Sequence, residues 1–267
     1  MEWKHYTQAN RDAWNEVAPI HKKNRDIDLA FAFQDPSFQT LDERITQKMN
    51  RLGLTGKRVA QLSCNNGREV ISMTRLGAAY GMGFDISDLA IEEADQLKKA
   101  AKAPCDFVCI DAMEIEPTQY PPFDLVYISV GALAWIPDLQ QYFRIASELL
   151  QQGGHLVVYE IHPFTYMMAV PGEDMYTDPW RISYSYFHRS VMVNEDGLDY
   201  YGNSEYDAKP SYEFPYTFSG IFQAILGNGF SLEELEEFPE DVSNGFDHLD
   251  GSFEVPLCFT LIARKGL

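Results

Sequence analysis

Short apolar runs alternate with amphipathic stretches between residues 36 and 161. The apolar runs predict buried strands, because they are bounded by turn residues and rich in β-branched and aromatic side chains. Their sequences are RVAQLS, AYGMGFDIS, CDFVCID, FDLVYIS and HLVVYEI. Helical spacing marks 36–51, GREVISMTRLGA, SDLAIEEADQLKKAAK and DLQQYFRIASELLQQ. Strands separated by helices are typical of β-α-β units, so we predict an α/β fold with a doubly wound, mostly parallel sheet.

The pattern changes between residues 162 and 215, where eight of the 15 tyrosines lie. Two β-prone runs flank the sequence NEDG at Asn194–Gly197, which is typical of a hairpin turn and predicts that these runs pair. We interpret the segment as a β-rich aromatic cap inserted after the fifth strand. The predicted division is an N-terminal helical segment over 1–35, a core over 36–161, the cap over 162–215, and a helix with two closing strands over 216–267.

The acidity of the chain limits its partners. Its formal net charge is −19 at pH 7 and no Lys/Arg run occurs, so neither a nucleic-acid backbone nor an anionic membrane is expected as the main partner. The sequence contains no run of 18 apolar residues, and its start has no basic segment followed by an apolar stretch. We therefore expect no membrane span, no signal peptide and a cytoplasmic location.

The composition favours a packed, enzyme-like domain. Hydrophobic residues make up 45% of the chain, which suffices for a sizeable core. The four cysteines form no C-x-x-C pair, and no histidines or carboxylates have the spacing of metal ligands. We expect the cysteines to be reduced packing residues, and we expect no metal dependence.

The stretch VAQLSCNNGREV, residues 59–70, runs from a strand through a tight turn into a helix. Nucleotide-binding folds normally carry glycines in this turn, because glycine adopts positive φ and lets a ligand approach the backbone. In this chain, Gly67 is the only glycine in the turn. Asparagine tolerates the left-handed region better than other non-glycine residues, so Asn65 and Asn66 preserve much of that ability. The turn can therefore still present backbone N–H groups to a cofactor.

The spacing within the turn indicates which cofactor it suits. The dinucleotide pattern G-x-G-x-x-G/A places Arg68 where a small residue is needed. The alternative spacing G-x-G-x-G falls on Ser63, Asn65 and Gly67, and it is the spacing of methyltransferases that use S-adenosylmethionine. Asp85 ends the next strand 18 residues after Gly67, where a carboxylate can accept both ribose hydroxyls.

The chain resembles the class I S-adenosylmethionine-dependent methyltransferases, of the small-molecule type with an N-terminal helical cap. The resemblance covers residues 5–161 and the C-terminal strand pair, and it rests on the turn, on Asp85, on IDAMEI after the third strand and on LLQQGGHLVVYE. It implies a seven-stranded sheet whose last strand is antiparallel, S-adenosylmethionine as the cofactor and a small-molecule methyl acceptor. The strand-end position that is normally acidic in the family is Gln61, which can accept a hydrogen bond from the methionine ammonium without supplying charge.

The resemblance also implies roles for individual residues. Asp111 would bond the adenine amino group, and Ala112 would donate its backbone N–H. The N-terminal helix would lie as a lid over the methionine end of the cofactor, with His21 nearby. The full cofactor-binding set is Tyr6, Trp14, Gln61, Ser63, Cys64, Asn65, Asn66, Gly67, Asp85, Ile86, Asp111, Ala112, Ser129 and Val130. We expect the cap to cover the acceptor side, apart from this set.

Two residues have alternative interpretations, Asp85 and His162. Asp85 can be a helix N-cap, although Ser87 caps more directly. Glu160 and His162 lie two apart at the end of the fifth strand and so share a face. His162 there suits a general base that takes a proton from the acceptor. Alternatively, it bonds to Glu160 or to the backbone and only begins the next loop.

Two other functions remain open for this sequence. A nicotinamide-dependent oxidoreductase is disfavoured by Arg68 and by the lack of a Tyr-x-x-x-Lys set. A catalytically silent cofactor-binding protein of the same fold is compatible with the loss of two turn glycines. Binding of S-adenosylhomocysteine, NAD and NADP discriminates among the three classes.

Overall fold

The computed structural model describes residues 3–188, 190–202, 204, 206–249, 251 and 254–266. Its α-helices are α1 (Lys4–Asn24), α2 (Leu29–Ala32), α3 (Glu43–Leu52), α4 (Arg68–Arg75), α5 (Asp88–Ala101), α6 (Leu139–Leu149) and α7 (Phe218–Gly227). Its strands are β1 (Arg58–Leu62), β2 (Tyr80–Asp85), β3 (Cys105–Cys109), β4 (Phe123–Ile128), β5 (Leu150–Ile161), β6 (Met192–Asn194), β7 (Ser211–Glu213), β8 (Phe230–Phe238) and β9 (Cys258–Lys265). Within these residues, no helix combines the length and the apolar character needed to cross a bilayer.

Seven of the described strands form one sheet, in the order β3-β2-β1-β4-β5-β9-β8. Strands β1 to β5 pair in parallel, while β9 pairs antiparallel with both β5 and β8. The predicted doubly wound, mostly parallel seven-stranded sheet is confirmed, including its antiparallel last strand. The chain order reverses between β1 and β4, and ligands of such sheets bind at this switch point, beyond the carboxyl ends of the strands.

Helices cover both faces of the sheet. On β4, Val126 packs with Tyr142 of α6, whereas Leu125 and Tyr127 pack on the opposite side with Ile71 of α4. This alternation follows from the two-residue period of a strand, and a strand buried on both faces must be apolar at successive positions. The core therefore fixes the positions of the strands, and the residues that follow their carboxyl ends are held in place for a binding site.

Two helix boundaries differ from the sequence prediction. The helix expected over 36–51 begins only at Glu43, because Asp42 caps it by accepting a hydrogen bond from the N–H of Arg44 at 2.8 Å. The helix expected to continue to residue 152 ends at Leu149, and β5 begins at Leu150. The chain thus enters β5 before the Gly153-Gly154 pair, with Gly153 at a φ of 74°.

The predicted hairpin around Asn194–Gly197 is wrong. Strand β6 pairs with β7 in the register Met192↔Glu213, so its partner is not the run that follows NEDG. Instead, the carboxylate of Asp199 accepts backbone hydrogen bonds from Tyr201, Gly202 and Ser204. These local bonds curl the chain into a loop, and they compete with the ladder that a hairpin would need.

A close contact at Gly83 offers a test of the packing under the site. A Cβ on this residue of β2 would lie 2.6 Å from Cδ1 of Phe107 and 2.7 Å from Sγ of Cys64. Gly83→Ala is therefore expected to lower the free energy of unfolding by about 1–3 kcal/mol, measured by urea denaturation. Gly227→Ala in α7 is the matched control, because its Cβ would meet only Gln140 Oε1 at 3.5 Å. Alanine there should stabilise by up to about 1 kcal/mol; equal stability of both variants would contradict the close packing.

Candidate functional site

The turn after β1 adopts the conformation that its spacing predicts. Ser63, Asn65 and Gly67 have φ angles of 54°, 50° and 69°, all in the left-handed region. The N–H of Gly67 donates to the carbonyl of Cys64 at 2.9 Å and closes the turn. Ser63 and Asn65, which replace glycines, thus adopt the left-handed conformation that glycine normally adopts. Positive φ therefore recurs at every second residue of the turn.

The turn residues between these positions point into the protein. Cys64 is buried against Gly83 and Phe107, and burial raises the pKa of its thiol well above the ordinary value. A thiol held protonated in this way packs and does not act as a nucleophile. Asn66 is also buried, and its amide donates to Glu93 of α5 at 3.2 Å. Only Asn65 among the four residues 63–66 is exposed.

Asp85 ties the turn to the end of β2. Its Oδ2 accepts from the N–H of Asn65 at 2.7 Å, and its Oδ1 accepts from the N–H of Ser87 at 2.9 Å. Burial raises the pKa of Asp85, and these backbone N–H groups oppose that rise. Ser87, not Asp85, caps α5 by accepting from the N–H of Ala90. A carboxylate has about four acceptor sites, so Asp85 retains capacity for ribose hydroxyls, beside the partly exposed Ile86.

A charge that the sequence prediction missed lies beside Gln61. The Gln61 amide, fully buried, donates to Glu69 Oε2 at 2.6 Å and to Ser129 Oγ at 3.0 Å. Its Oε1 is buried without a hydrogen-bond partner in the described part of the chain. Glu69 lies in the first turn of α4, where acidic residues are common because they complement the helix dipole. The sequence therefore carries no distinct signal for it.

Asp111 follows β3 and shapes the next turn. Its Oδ1 accepts from the N–H of Met113 at 2.9 Å and caps the 3-10 turn Ala112–Glu114. Burial raises the pKa of Asp111. Ala112 is 7% exposed and packs in the core. The contact of both residues with adenine stays a prediction.

The loop after β4 is held by a buried carboxylate. Glu160, at the end of β5, accepts from the N–H groups of Gly131 at 2.5 Å and Leu133 at 2.9 Å. Burial raises the pKa of Glu160 to about 7. Ser129 and Val130 are the first residues of this loop, and Val130 packs against buried core residues. The adjacent strands β2, β1 and β4 thus bring Asp85, the turn and Ser129 to one edge of the sheet.

Helix α1 crosses this edge. The ring of Trp14 lies 5.3 Å from that of Trp135, which follows β4. On the same helix, Asn15 Oδ1 accepts from Ser87 Oγ at 2.7 Å, and Arg11 pairs with Asp88 at 2.6 Å, both just beyond β2. The helix therefore spans the carboxyl ends of β2 and β4, as a lid over a cofactor must.

The cap holds the opposite side of α1. The Asn10 side chain bonds to both the carbonyl and the N–H of Tyr212, at 2.8 and 2.7 Å. Nearby, the Tyr6 ring lies 5.0 Å from the Tyr212 ring. His21 is buried and donates from Nε2 to the Leu198 carbonyl at 2.8 Å. The predicted lid helix is thus clamped between the sheet edge and the cap.

The cap also reaches the turn after β1. The Tyr200 ring lies 4.3 Å from that of His21 at a tilt of 55°, and Tyr201 Oη accepts from Arg68 Nη1 at 2.9 Å. Arg68 begins α4 directly after Gly67. The cap thus contacts the residue next to the predicted cofactor turn, and its separation from the cofactor stays a prediction. Sequence reasoning missed this pair because an isolated Tyr-Tyr dipeptide gives no sign of its partner.

The side chain of His162, which directly follows β5, is held by contacts with β8 and α7. Its Nδ1 accepts from the N–H of Phe164 at 3.1 Å, and its Nε2 lies 3.0 Å from Oε1 of Glu237 on β8. Its ring packs 4.6 Å from that of Phe218, and the residue is 6% exposed. These contacts favour the structural alternative over the role of a base.

A cavity of about 310 Å³ is lined by residues of the cap and by Tyr216, which directly follows the cap. A second cavity of about 20 Å³ lies between it and the loop after β4, and is lined by Leu133 and Glu160. Pro163, Tyr166 and Tyr216 line both cavities. The two cavities therefore share a wall, and the small one lies on the side of the loop after β4.

Known proteins that this chain resembles in sequence or fold are methyltransferases. Residues 60–158 match the family model of a methyltransferase domain. The chain is 30% identical over 155 residues to the ubiquinone biosynthesis O-methyltransferase of Ralstonia nicotianae, across 55% of this chain and 64% of that protein. It superposes on an S-adenosylmethionine-dependent methyltransferase of Mesorhizobium loti with a TM-score of 0.61 and 23% identity, over 83% of this chain and 96% of that one. The magnesium protoporphyrin IX methyltransferase of Synechocystis, solved with bound S-adenosylhomocysteine, gives a TM-score of 0.56 and 13% identity, over 97% and 99%.

The fold and the turn define a doubly wound sheet of the kind that binds nucleotide-like cofactors at its switch point. Residues 60–158 carry a methyltransferase domain, and the fold is that of methyltransferases that use S-adenosylmethionine. The matched domain runs from β1 through most of β5 and so contains the turn, Asp85 and Ser129. The chain spans slightly under two thirds of the length of the Ralstonia protein.

The buried position of His162 predicts a structural phenotype. His162→Ala is expected to lower the free energy of unfolding at pH 8 by about 2–5 kcal/mol, the range for truncating a buried side chain. Burial lowers the pKa of His162 below the ordinary 6.5, so only the unfolded chain takes up a proton as the pH falls through that value. The stabilisation is thus present above pH 6.5 and lost below it, and the difference from wild type should narrow at pH 5.

The control for this prediction is His5→Ala, because His5 is exposed on α1. Its effect should stay within about 0.5 kcal/mol at both pH values. Denaturant titration measures stability, and calorimetry with S-adenosylhomocysteine measures cofactor affinity in the same samples. Unchanged stability together with a large loss of affinity in His162→Ala would return His162 to the functional site.

Proposed function

We propose that this protein transfers a methyl group from S-adenosylmethionine to a small-molecule acceptor held in the large cavity. One observation carries the proposal: the loop after β4 contacts the predicted cofactor residues at its start and the small cavity beside the large one further along. Ser129 at the start of this loop bonds to Gln61, and Leu133 lines the small cavity. A cavity of about 310 Å³ falls within the range of small-molecule sites.

The described residues offer a chemically suitable group for each part of the cofactor. Asp85 would hold the ribose, the left-handed turn would accommodate the cofactor against its backbone, and Asp111 would contact the adenine. At the methionine end, the buried Gln61 Oε1 has no partner in the described part of the chain, and it can accept a hydrogen bond from an ammonium. Glu69, bonded to the same amide, would supply the negative charge that Gln61 lacks.

When bound, the cofactor supplies an electrophilic methyl group on a sulfonium. The protein then has to align the acceptor and exclude water, which accounts for a large share of such a rate enhancement. Trp14 of the lid and Tyr200 of the cap lie next to each other, with ring centroids 6.5 Å apart, and together they would cover the site. The aromatic wall of the cavity would keep the acceptor out of water.

The name of the Ralstonia relative indicates methylation of an oxygen in ubiquinone biosynthesis. That name supports a small-molecule acceptor for this chain, and it is consistent with the aromatic cavity. Because the alignment covers 55% of this chain, the acceptor itself has to be argued from the cavity.

The role of Asp85 can be tested by cofactor binding. Asp85→Ala is expected to weaken S-adenosylhomocysteine binding by about 1.5–3 kcal/mol, the range for a hydrogen bond to a charged group. Isothermal calorimetry measures this, with Glu92→Gln on the exposed face of α5 as the control that should match wild type. NAD and NADP should not raise the melting temperature of the wild type. Unchanged affinity in a folded Asp85→Ala variant would remove Asp85 from the site, and stabilisation by NAD alone would reject the proposed function.

The proposed role of Glu69 can be tested with two variants, and neither is expected to bind S-adenosylhomocysteine more tightly than wild type. Glu69→Gln should weaken S-adenosylhomocysteine binding about tenfold or more, because it removes the charge opposite the ammonium. Gln61→Glu should not restore or improve binding, although it recreates the usual acidic strand end. Its new carboxylate would lie within hydrogen-bonding distance of Glu69, and two buried like charges oppose ionisation. Tighter binding by Gln61→Glu than by wild type would show that Glu69 does not serve the cofactor.

A further inference from the structure

Four tyrosines line the large cavity and give it an aromatic wall. They are Tyr166, Tyr184, Tyr186 and Tyr216. The faces of aromatic rings carry negative potential and attract cations. No lysine or arginine belongs to the described lining of this cavity. The wall is therefore suited to an apolar ligand that carries a positive charge.

A carboxylate lies in the same wall. Glu173 lines the cavity, and its Oε2 accepts from the N–H of Val170 at 3.0 Å and from Tyr184 Oη at 3.2 Å. Both partners are neutral donors. In the described part of the chain, Glu173 forms no ion pair, so its charge is oriented but not compensated.

A second carboxylate, Glu213, comes from strand β7. It pairs in register with Met192, which lines the cavity, and it lies two residues before Pro215, which also lines it. Directly opposite residues of an antiparallel pair have their side chains on the same face, so Glu213 shares the face of Met192. Glu213 forms no hydrogen bond or ion pair with another described residue through its side chain, and burial next to Glu173 raises its pKa to about 7. An unpaired acid buried near a second acid favours a cationic ligand.

We propose that the methyl acceptor carries a protonated amine, which Glu213 and Glu173 hold while its apolar body lies among the cavity tyrosines. This inference rests on the proposed function and adds the chemical class of the acceptor. The ammonium is the recognition group and not the methylated atom, because a protonated nitrogen has no lone pair to attack a methyl group. The reacting atom of the acceptor would then lie toward the small cavity at Leu133 and Glu160, on the side of the loop after β4.

Direct binding of three small probes tests the proposal. Tyramine is an aromatic cation at neutral pH, 4-ethylphenol is its neutral counterpart, and 4-hydroxyphenylacetate is an anion of similar size. Calorimetry at pH 8 with saturating S-adenosylhomocysteine should show tyramine binding about tenfold or more tighter than either other probe. Glu213→Gln and Glu173→Gln should each remove most of that preference. Glu195→Gln, an exposed acid on the same cap, should keep it.

The pH dependence gives a second readout. The titratable groups that face Glu213 are Glu173 and Tyr166, and Tyr184 and His188 also line the cavity. Tyramine affinity should rise from pH 6 to pH 8, because Glu213 loses its proton across this range while the amine keeps its own. The rise should vanish in Glu213→Gln and persist in His188→Asn.

The outcomes separate this inference from the proposed function. If S-adenosylhomocysteine does not bind, the proposed function fails. If it binds in wild type and in Glu213→Gln alike, but tyramine and 4-ethylphenol bind equally or neither binds, the acceptor class is wrong. Arg189 follows His188 in the sequence and lies outside the described residues. A preference for tyramine that arises only in Arg189→Gln would also overturn the inference, because Arg189 would then be the cation that these acids hold.

Discussion

The hydrogen bonds of Asp85 hold the cofactor end of this molecule together. Its two oxygens accept from the N–H of Asn65 in the turn and from that of Ser87 before α5. Non-glycine residues in the left-handed region cost about 1–3 kcal/mol each, and the turn contains two, Ser63 and Asn65. Hydrogen bonds to a charged group contribute about 1.5–3 kcal/mol each, so Asp85 offsets much of that strain. The carboxylate that is suited to the ribose thus also shapes the loop beside it.

The same edge of the sheet shows how a departure from a family pattern can be compensated. Gln61 has no exposed surface, and an ionised acid there would be expensive to bury. The charge lies instead on Glu69, in the first turn of α4, where the helix dipole favours it. The amide of Gln61 then links the charge to Ser129, which directly follows the adjacent strand β4. In the function that we propose, a neutral strand end and a charged helix start together would replace a single acidic residue.

The cap joins two tasks that the sequence suggested were separate. Through Leu198 and Tyr201 it holds α1 and the start of α4, and through Tyr166 and Tyr184 it lines the large cavity. In the function that we propose, one cover would exclude water from both substrates. Opening of α1 for cofactor entry would break contacts with the cap.

The sequence by itself determined the sheet, because each strand and helix is encoded by a local apolar period, and burial on both faces leaves one arrangement for such elements. It also determined the turn, since the spacing of Ser63, Asn65 and Gly67 fixes where the chain must be left-handed. Only the tertiary structure decided the partner of β6, because the NEDG turn signal is local and the loop around Asp199 overrides it. The contact between Arg68 and Tyr201 likewise joins residues 133 positions apart. Pairings at such separation depend on how packed elements meet, and no local pattern of side chains records that.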